Sequence, residues 1–337
     1  MKIRKILFLL LTSIVLSSCS QNNILVVKSY FSFATIFGIN IYQNVEEKTF
    51  RKIESLLNEY NKLFDSFNEY QGINNVYKIN QTNDEIEIDK KLYDALKLAD
   101  KYYHSSLKDY FNPYLGEFTF YYKNMYETYN KDNSENKVLN LPSKEYIETS
   151  LNNLNKFELK FNDETHSVKR NGNSLIDLGA FAKGYVLNEL KNFMKEEEIQ
   201  YYLINGGTSS VYLSENPNNS KNDNKFLVGI RYLDKKGVLV KDTSVGISSI
   251  FEQLIEFNNQ KYSHIINPLT GLSECNYDFS LVIHDDPILS DIISTSLMLI
   301  KDQNELNKIK EEYNFAYMLF KDKKAIYSSN DFSLVDY

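Results

Sequence analysis

Apolar residues change their spacing along the chain, and each spacing predicts a different kind of element. Between residues 50 and 64, and again between 89 and 104, they recur every three or four positions, as on one face of an α-helix. Residues 24–41 alternate loosely, which predicts a pair of strands around Gly38. Further strands are predicted into Asp177 and at 201–205, 226–232 and 280–284, and further helices at 182–197, from Pro287 onwards, and at 306–313.

Turn residues divide these elements. Asn171-Gly172-Asn173 predicts a hairpin turn within residues 159–173, and Asp322-Lys323-Lys324 predicts a second one near the end of the chain. The polar, charge-rich residues 126–140 predict a surface insertion. Strands and helices are mixed without a regular β-α-β order, and no repeat or long linker divides them. We therefore expect a mixed α+β fold that forms one large unit over residues 24–337.

The first 18 residues have the pattern of a secretion signal. A basic head precedes an apolar run at residues 6–16, which is too short to span a bilayer core that needs roughly 20 helical residues. Leu16-Ser17-Ser18-Cys19 resembles the lipobox of bacterial lipoproteins, in which the cysteine is lipidated. We expect a signal peptide at 1–18, a short tether at 19–23 and a lipid-anchored protein on the extracytoplasmic face of the cell membrane. An ordinary signal cut nearby, with Cys19 incidental, is the alternative.

Composition narrows the function further. Cys19 and Cys275 are the two cysteines of the chain, so a lipidated Cys19 leaves Cys275 without an intramolecular disulfide partner. The chain has 38 basic and 45 acidic residues and a net charge of −7. Nucleic-acid binding requires a basic face, and this balance argues against it.

The helix predicted after Pro287 places hard oxygen atoms on one face. Asp291 and Thr295 are four residues apart and therefore one helical turn apart, with Ser294 beside them. A carboxylate and a hydroxyl suit Mg²⁺, whose shell is completed by water and substrate phosphates. The alternative is a helix N-terminus at which Asp and Ser are common for capping reasons.

Three further segments are candidates for ligand contact. Asp177 is followed by a tight turn, and Lys183 begins a helix whose N-terminus favours phosphate, although the spacing of a Walker loop is absent. His264 precedes an Asn-Pro-Leu-Thr-Gly turn and could transfer a proton near neutral pH. Asn205-Gly206-Gly207 is a turn that could contact a ligand through its backbone. Taken singly, each segment is more often a plain connection or a structural histidine.

Together, the four segments resemble the ApbE family, the FAD:protein FMN transferases. The segments resemble four motifs of the family, in the same order. These motifs are D-L-G-G-I-A-K-G-Y, N-x-G-G, H-I-I-D-P-x-T-G and A-D-x-x-[SD]-T. The matching segments are residues 177–185, 205–207, 264–271 and 290–295, and residues 70–80 resemble the flavin-side region of the family.

The resemblance implies an activity and a fold of the ApbE type. Family members cleave the pyrophosphate of FAD and move FMN onto a threonine or serine hydroxyl of a partner flavoprotein, and AMP leaves. With the N-terminal signal, this implies an exported or membrane-bound acceptor flavoprotein, with FAD as substrate and Mg²⁺ as cofactor. The sequence agrees less well with a flavoprotein electron carrier. Such a protein would need its own Asp-x-x-Thr acceptor motif, and we find no convincing copy in the chain.

The resemblance also assigns roles to residues. By carry-over, Asp291, Thr295 and the backbone carbonyl of Ala180 hold Mg²⁺, and Ser294, where some members have a second Asp, is a weaker ligand. His264 is the expected general base or phosphate-positioning group, since a group with a pKa near ~6.5 can accept a proton at neutral pH. Lys183 is assigned to catalysis and to the substrate phosphates. The expected FAD contacts are Phe33, Tyr70, Asn112, Asp177, Lys183 and Ile266.

The chain departs from the family pattern at several flavin-side positions. Phe33-Ala34-Thr35 stands in place of M-G-T, Asn112 in place of an acidic residue, Asn267 in place of Asp, and Leu269 in place of a frequent Arg. The family's T-S-G-[DN]-Y is reduced to residues 247–251. Two other functions share the same residues: an FAD pyrophosphatase that uses water as acceptor, and a lipoprotein that binds flavin without turnover.

Overall fold

The computed structural model describes residues 24–134, 137–230 and 233–337. The helices are α1 (Glu47–Phe64), α2 (Val76–Asn80), α3 (Lys90–Tyr103), α4 (Gly116–Lys131), α5 (Lys144–Asn155), α6 (Ala182–Glu196), α7 (Pro287–Leu297) and α8 (Gln303–Tyr313). The predicted signal peptide and tether fall on residues 1–23, outside the described residues. Within those described ranges, no helix is both long enough and apolar enough to cross a membrane.

Strands make up the rest of the regular structure. In chain order they are β1 (Val26–Ser32), β2 (Thr35–Ile41), β3 (Ile86–Glu87), β4 (Glu158–Asn162), β5 (Ser167–Asn171), β6 (Tyr202–Gly206), β7 (Ser210–Leu213), β8 (Phe226–Gly229), β9 (Lys236–Val240), β10 (Thr243–Ser249), β11 (Ile255–Phe257), β12 (Gln260–Tyr262), β13 (Phe279–His284), β14 (Ala316–Lys321), β15 (Lys324–Ser328) and β16 (Val335–Asp336). The prediction of a mixed α+β fold is confirmed.

The main sheet is antiparallel throughout. In the described part of the chain it has eight strands in the order β1-β2-β6-β7-β10-β13-β14-β15. Small sheets are formed by β11-β12, by β16-β9-β8 and by β3-β5-β4. Since neighbouring side chains of a strand point to opposite faces, the main sheet can be covered by different layers on its two sides.

Helices cover one face of the main sheet and a small sheet covers part of the other. Phe37, Ile39 and Ile41 of β2 are buried in the core formed with α1, α3, α6 and α7. On the opposite face, Leu281 of β13 packs in a second core with Phe226 of β8 and other residues of the small sheet. α7 therefore lies between the sheet and α6. In this position the polar side chains of α7 can contact polar residues of β10 and of the turn before α6.

Local sequence explains where the main helices begin. The apolar positions predicted for the first helix are buried along α1. Asp89 caps α3, because its carboxylate accepts a hydrogen bond from the Lys91 N–H at 2.8 Å, as expected for an N-cap. Pro287 opens α7 as predicted, and the carboxylate of Asp286 accepts the N–H of Ile288 at 2.8 Å.

Several turns differ from the prediction. The β1–β2 turn lies at Phe33 and Ala34, both with positive φ, whereas Gly38 lies inside β2. The hairpin predicted in residues 159–173 is formed by β4 and β5, but it turns at residues 163–166. Asn171 is the last residue of β5, and Gly172-Asn173 follow it. The predicted hairpin at residues 322–324 is confirmed between β14 and β15.

Three other predictions are corrected. Residues 126–131 continue α4, so irregular chain is seen only at the described residues 132–134 and 137–140 of this segment. β8 ends at Gly229, short of the predicted end at 232. Residues 172–176, which the structure describes, form no strand before Asp177. Instead, the Asp177 N–H bonds to the carbonyl of Pro113 at 2.9 Å.

Candidate active site

One cavity, of about 250 Å³, lies among α4, the turn before α6, β10, residues 264–266 and α7. It gathers residues from segments that are far apart in the chain. The predicted site residues that line it are Asn112, Asp177, Ala180, Lys183, His264, Ile266, Asp291 and Thr295. The predicted residues Phe33, Tyr70 and Ser294 are not part of its lining.

Asp291 is a buried carboxylate fixed by two elements other than its own. Its Oδ2 accepts the backbone N–H of Gly184 in α6 at 2.9 Å, and its Oδ1 accepts the hydroxyl of Ser210 in β7 at 2.7 Å. Burial raises the pKa of the Asp291 carboxyl, and the nearby Lys183 ammonium and these two donors act in the opposite direction. Each carboxylate oxygen retains lone-pair capacity beyond its single protein donor.

Close packing of two glycines allows α7 to occupy this position. A Cβ on Gly184 would lie 2.6 Å from the carbonyl oxygen of Pro287 and 2.8 Å from Cβ of Asp291. A Cβ on Gly246 of β10 would lie 2.6 Å from the carbonyl carbon of Ser290. Both contacts are too short for any other residue. The glycines therefore determine how closely Asp291 approaches α6 and the sheet.

Thr295 and Ser294 share hydrogen-bond partners but face different surroundings. Both hydroxyls donate to the Asp291 carbonyl, at 3.3 and 2.9 Å, and both lie 2.9 Å from the Ser248 hydroxyl of β10. Thr295 lines the cavity, whereas Ser294 is fully buried. Thr295 can therefore offer an oxygen to a ligand in the cavity, and the Ser294 hydroxyl is occupied within the protein.

Lys183 lies in the first turn of α6, directly after the turn at residues 178–181. That turn is closed by hydrogen bonds from the N–H groups of Phe181 and Ala182 to the Leu178 carbonyl, at 2.9 and 2.7 Å. The positive end of the helix dipole and the Lys183 ammonium both favour an anion at this place. This end of the cavity is therefore suited to phosphate.

His264 lies in the loop after β12, and its side chain is open to the cavity. The surrounding protein and the positive charge of Lys183 lower its pKa to about 4, against a weaker opposite effect of Glu252. The imidazole is therefore neutral at neutral pH and can accept a proton. It is a weaker base than a group with an ordinary histidine pKa.

Asp177 is held in place by side chains rather than by a strand. The Asn80 amide pairs with both backbone groups of Ile176, accepting its N–H at 2.8 Å and donating to its carbonyl at 2.9 Å. Buried Arg170 donates to the carbonyls of Asn80 and Ser174 at 2.6 and 2.8 Å. Burial raises the pKa of Asp177, and Thr119, Gly179 and Lys123 oppose this rise.

Asn112 and Ile266 are buried residues at the cavity wall. The amide oxygen of Asn112 accepts the N–H of Tyr114 at 2.8 Å, which shapes the turn before α4. An aspartate could accept this same bond, so the replacement of the family's acidic residue by Asn112 keeps the turn and removes a charge.

Two predicted flavin contacts lie in other surroundings. Phe33 is at the tip of the β1–β2 hairpin, where its N–H donates to the Asn61 amide oxygen at 2.7 Å. Tyr70 donates its hydroxyl to Asp65 at 2.8 Å. Phe67, three residues earlier, does line the cavity, and its ring lies 4.8 Å from that of Phe120.

Sequence reasoning missed other residues of the cavity. Lys123 and Thr119 project from one face of α4, and the Lys123 ammonium lies 3.3 Å from the centre of the Phe67 ring. Glu252 lines the cavity next to β10 and accepts a hydrogen bond from Thr208. The i, i+4 spacing of Thr119 and Lys123 could have indicated that the two side chains share one face of a helix. Nothing in the local sequence indicates that Phe67 or Glu252 lines a cavity.

The cavity offers oxygen donors to a metal ion. Among the described residues, no group of three or more His, Cys, Asp or Glu side chains could hold a metal by itself. The candidate ligands are instead one carboxylate, one hydroxyl and one backbone carbonyl, from Asp291, Thr295 and Ala180. These are hard oxygen donors of the kind that Mg²⁺ accepts when water and substrate phosphates complete its shell. The residues therefore fit Mg²⁺ bound together with a phosphate substrate.

Comparisons with known proteins agree on one family. The sequence profile described as the ApbE family matches residues 33–319. A Chlamydia muridarum protein named FAD:protein FMN transferase is 22% identical over 306 residues, which cover 89% of this chain and 90% of that protein. A Klebsiella pneumoniae protein of the same name is 26% identical over 129 residues, and this match spans only 38% of the relative's length.

Solved structures show the same fold. The ApbE protein of Thermotoga maritima superimposes with a TM-score of 0.73 at 20% identity, covering 91% of this chain and 97% of that one. The flavin transferase ApbE of Vibrio cholerae gives a TM-score of 0.69 at 17% identity, with 91% and 98% covered. At these identities the likeness concerns the fold alone.

Proposed function

Because the chain belongs to the ApbE family, we propose that it transfers FMN from FAD to a threonine or serine hydroxyl of an acceptor flavoprotein, with release of AMP. Relatives that carry the name FAD:protein FMN transferase support this activity. The observation that carries the proposal is the shared cavity of Asp291, Thr295, Lys183 and His264. These residues come from three separate segments of the sequence, and each suits a different part of phosphoryl transfer.

FAD binding would use both parts of the cavity. The aromatic residues Phe67, Tyr110 and Phe120 supply an apolar wall suited to a flavin ring. The N-terminus of α6 and the Lys183 ammonium suit the pyrophosphate. Asp177 also lines the cavity, its pKa is raised by burial, and it can hydrogen-bond a polar edge of the ring.

The transfer exchanges the phosphoanhydride bond of the FAD pyrophosphate for a phosphoester bond to the acceptor. The acceptor hydroxyl oxygen forms a bond to the phosphorus on the FMN side of the pyrophosphate, and the bond from that phosphorus to the bridging oxygen breaks. AMP leaves with the bridging oxygen, and the acceptor proton passes to His264, which is neutral at neutral pH. Lys183 holds the pyrophosphate oxygens in place during this exchange.

Magnesium is part of the proposal. Asp291, Thr295 and the Ala180 carbonyl would hold the ion, which would neutralise charge on the pyrophosphate and favour departure of AMP. Asp291 is prepared for this role by Gly184 and Ser210, since their hydrogen bonds fix the direction of its carboxylate. Ser248 does the same for the Thr295 hydroxyl.

The location of the protein is a further proposal. The signal-like residues 1–18 and the lipobox-like residues 16–19 support a lipid anchor at Cys19 and an extracytoplasmic acceptor that is exported or held in the same membrane. Labelling that finds no lipid on the mature N-terminus would remove the anchor and leave the catalytic assignment untouched.

The test measures two products in parallel. The protein is incubated with FAD, Mg²⁺ and a candidate acceptor, and both AMP and covalently bound flavin are quantified. Equal amounts of the two support transfer. AMP without covalent flavin identifies an FAD pyrophosphatase, and bound FAD without AMP identifies a flavin-binding protein, so either result overturns the proposal.

A further inference from the structure

Hairpin β1–β2 presents apolar side chains to solvent at the edge of the main sheet. Phe31 is 77% exposed, Ile36 is 61% exposed and Val27 is 56% exposed. Phe31 and Ile36 are directly paired in the antiparallel register, so their side chains lie next to each other on one face. Val27 lies on the same face, because it is four residues from Phe31 along the strand. We call these three residues the hairpin face.

The central part of this side of the sheet is covered. The small sheet β16-β9-β8 packs over its central strands, and its Phe226 ring lies 5.7 Å from the Tyr42 ring, just after β2. The opposite side of the hairpin is covered by α1, whose Phe50 carbonyl accepts the Tyr30 hydroxyl. Among the described residues, the high exposure of Phe31 and Ile36 shows that no other element covers the hairpin face. Neighbouring exposed apolar residues of this kind mark an interaction surface.

The proposed lipid anchor is a short length of chain away from this face. Seven residue steps separate Cys19 from Val26, the first residue of β1, and an extended chain covers at most about 3.5 Å per step. The start of the hairpin is therefore within about 25 Å of the lipidated residue. A protein held so closely must present some surface to the bilayer. The hairpin face begins at Val27, directly after Val26 and the exposed apolar residues Ile24 and Leu25.

We propose that the hairpin face rests on the bilayer that holds Cys19, with the side chains of Phe31, Ile36 and Val27 inserted at the headgroup level. Aromatic and aliphatic side chains favour this interfacial region. The nearby Lys28 points to the other side of β1 and is paired with Glu47 at 3.3 Å. The contact is therefore apolar, and it should depend little on salt.

This orientation has a consequence for the cavity. The hairpin tip touches the turn before β7, because a side chain at Gly207 would collide with Thr35. Next to it, Thr208 donates a hydrogen bond to Glu252, which lines the cavity. These contacts connect the hairpin tip to the cavity lining, so the membrane contact would orient the cavity relative to a membrane-bound acceptor. This consequence rests on the proposed transferase activity, whereas the membrane contact rests on the proposed lipid anchor at Cys19 and not on that activity.

The absence of tryptophan from the chain gives a direct test. The Phe31→Trp variant carries a single indole on the hairpin face. The matched control is Ile326→Trp, on the edge strand at the other end of the sheet, where Ile326 is 46% exposed. The lipidated mature proteins, residues 19–337, are incorporated into phosphatidylethanolamine–phosphatidylglycerol vesicles with or without brominated acyl chains. We expect blue-shifted emission from F31W and bromine quenching about twofold or more stronger than for I326W.

Three results would overturn the proposal. The first is equal quenching of the two variants, and the second is failure of the lipidated mature protein to bind the vesicles. The third is an emission shift of F31W that requires an added acceptor protein instead of lipid, since the face would then dock protein. The measurement needs neither FAD nor turnover, so its failure is distinguishable from failure of the transferase activity.

Discussion

The backbone N–H of Gly184 donates a 2.9 Å hydrogen bond to the Asp291 carboxylate, which joins the first turn of α6 to the middle of α7. Lys183, the preceding residue, lies at the phosphate end of the cavity, and Asp291 carries the carboxylate proposed for the metal. One hydrogen bond therefore sets the distance between the group for phosphate and the group for Mg²⁺. Changes at this contact should affect stability and metal-dependent chemistry together.

Gly184→Ala is expected to separate α6 from α7. Its Cβ would meet the Pro287 carbonyl at 2.6 Å, and such overpacking costs about 1–3 kcal/mol of the free energy of unfolding. The control is Gly38→Ala, because a Cβ there would meet the nearest atom, Cβ of Asn205, at an ordinary 3.7 Å. Urea unfolding compares the two. Equal stability of both variants would contradict the packing argument.

Asp291→Asn is expected to keep the fold and to weaken metal binding by at least an order of magnitude, because it removes the one carboxylate among the three proposed ligands. Ser294→Ala is the control, since the Ser294 hydroxyl is buried and bonded to Ser248 and to the Asp291 carbonyl. Mn²⁺ titration monitored by electron paramagnetic resonance, with an FAD analogue present, measures the affinity. Equal loss in the two variants would show that Ser294 is a ligand after all.

Some elements of the fold could be predicted from the sequence and others could not. The burial pattern of α1 and the start of α7 at Pro287 follow from local periodicity and capping, and both are confirmed. The β1–β2 turn was misplaced because Phe33 and Ala34 are not turn-forming residues. Their positive φ is accompanied by the hydrogen bond from the Phe33 N–H to Asn61, which lies 28 residues away.

The candidate site shows the same division. Asp177, Lys183, His264 and Asp291 stood in recognisable motifs, and the structure brings them to one cavity. The strand expected before Asp177 is absent because the Asn80 side chain supplies the backbone partners that a neighbouring strand would have supplied. Such long-range contacts leave no periodic signal in the sequence.

Phe67 is expected to contribute more than Tyr70 to FAD binding. The Phe67 ring lines the cavity beside Phe120, whereas the Tyr70 hydroxyl is bonded to Asp65. Loss of one aromatic wall should cost about 1–3 kcal/mol of binding free energy, so Phe67→Ala should raise the Kd for FAD roughly fivefold or more. Tyr70→Phe serves as the comparison, and flavin fluorescence reports both. A larger effect at Tyr70 would restore it as the flavin contact.

His264 is expected to titrate well below the usual histidine range. Partial desolvation by the cavity walls and the Lys183 charge lower its pKa to about 4, although the residue is exposed to solvent. The ring is therefore neutral from mildly acidic to neutral pH and protonates only as the pH falls towards 4. Carbon-detected NMR of labelled histidine can follow it, with His264→Gln to assign the resonance. A midpoint near pH 6.5 would contradict this environment for the ring.

The central claim is that this cavity moves FMN from FAD onto a protein hydroxyl. Mass spectrometry of an acceptor flavoprotein tests it most directly, after incubation with FAD, Mg²⁺ and either the wild-type protein or the Asp291→Asn variant. The account predicts covalent FMN on one threonine or serine of the acceptor with the wild type, and none with the variant or with EDTA present. An acceptor that stays unmodified while AMP accumulates, or one that is modified equally by the variant, would contradict it.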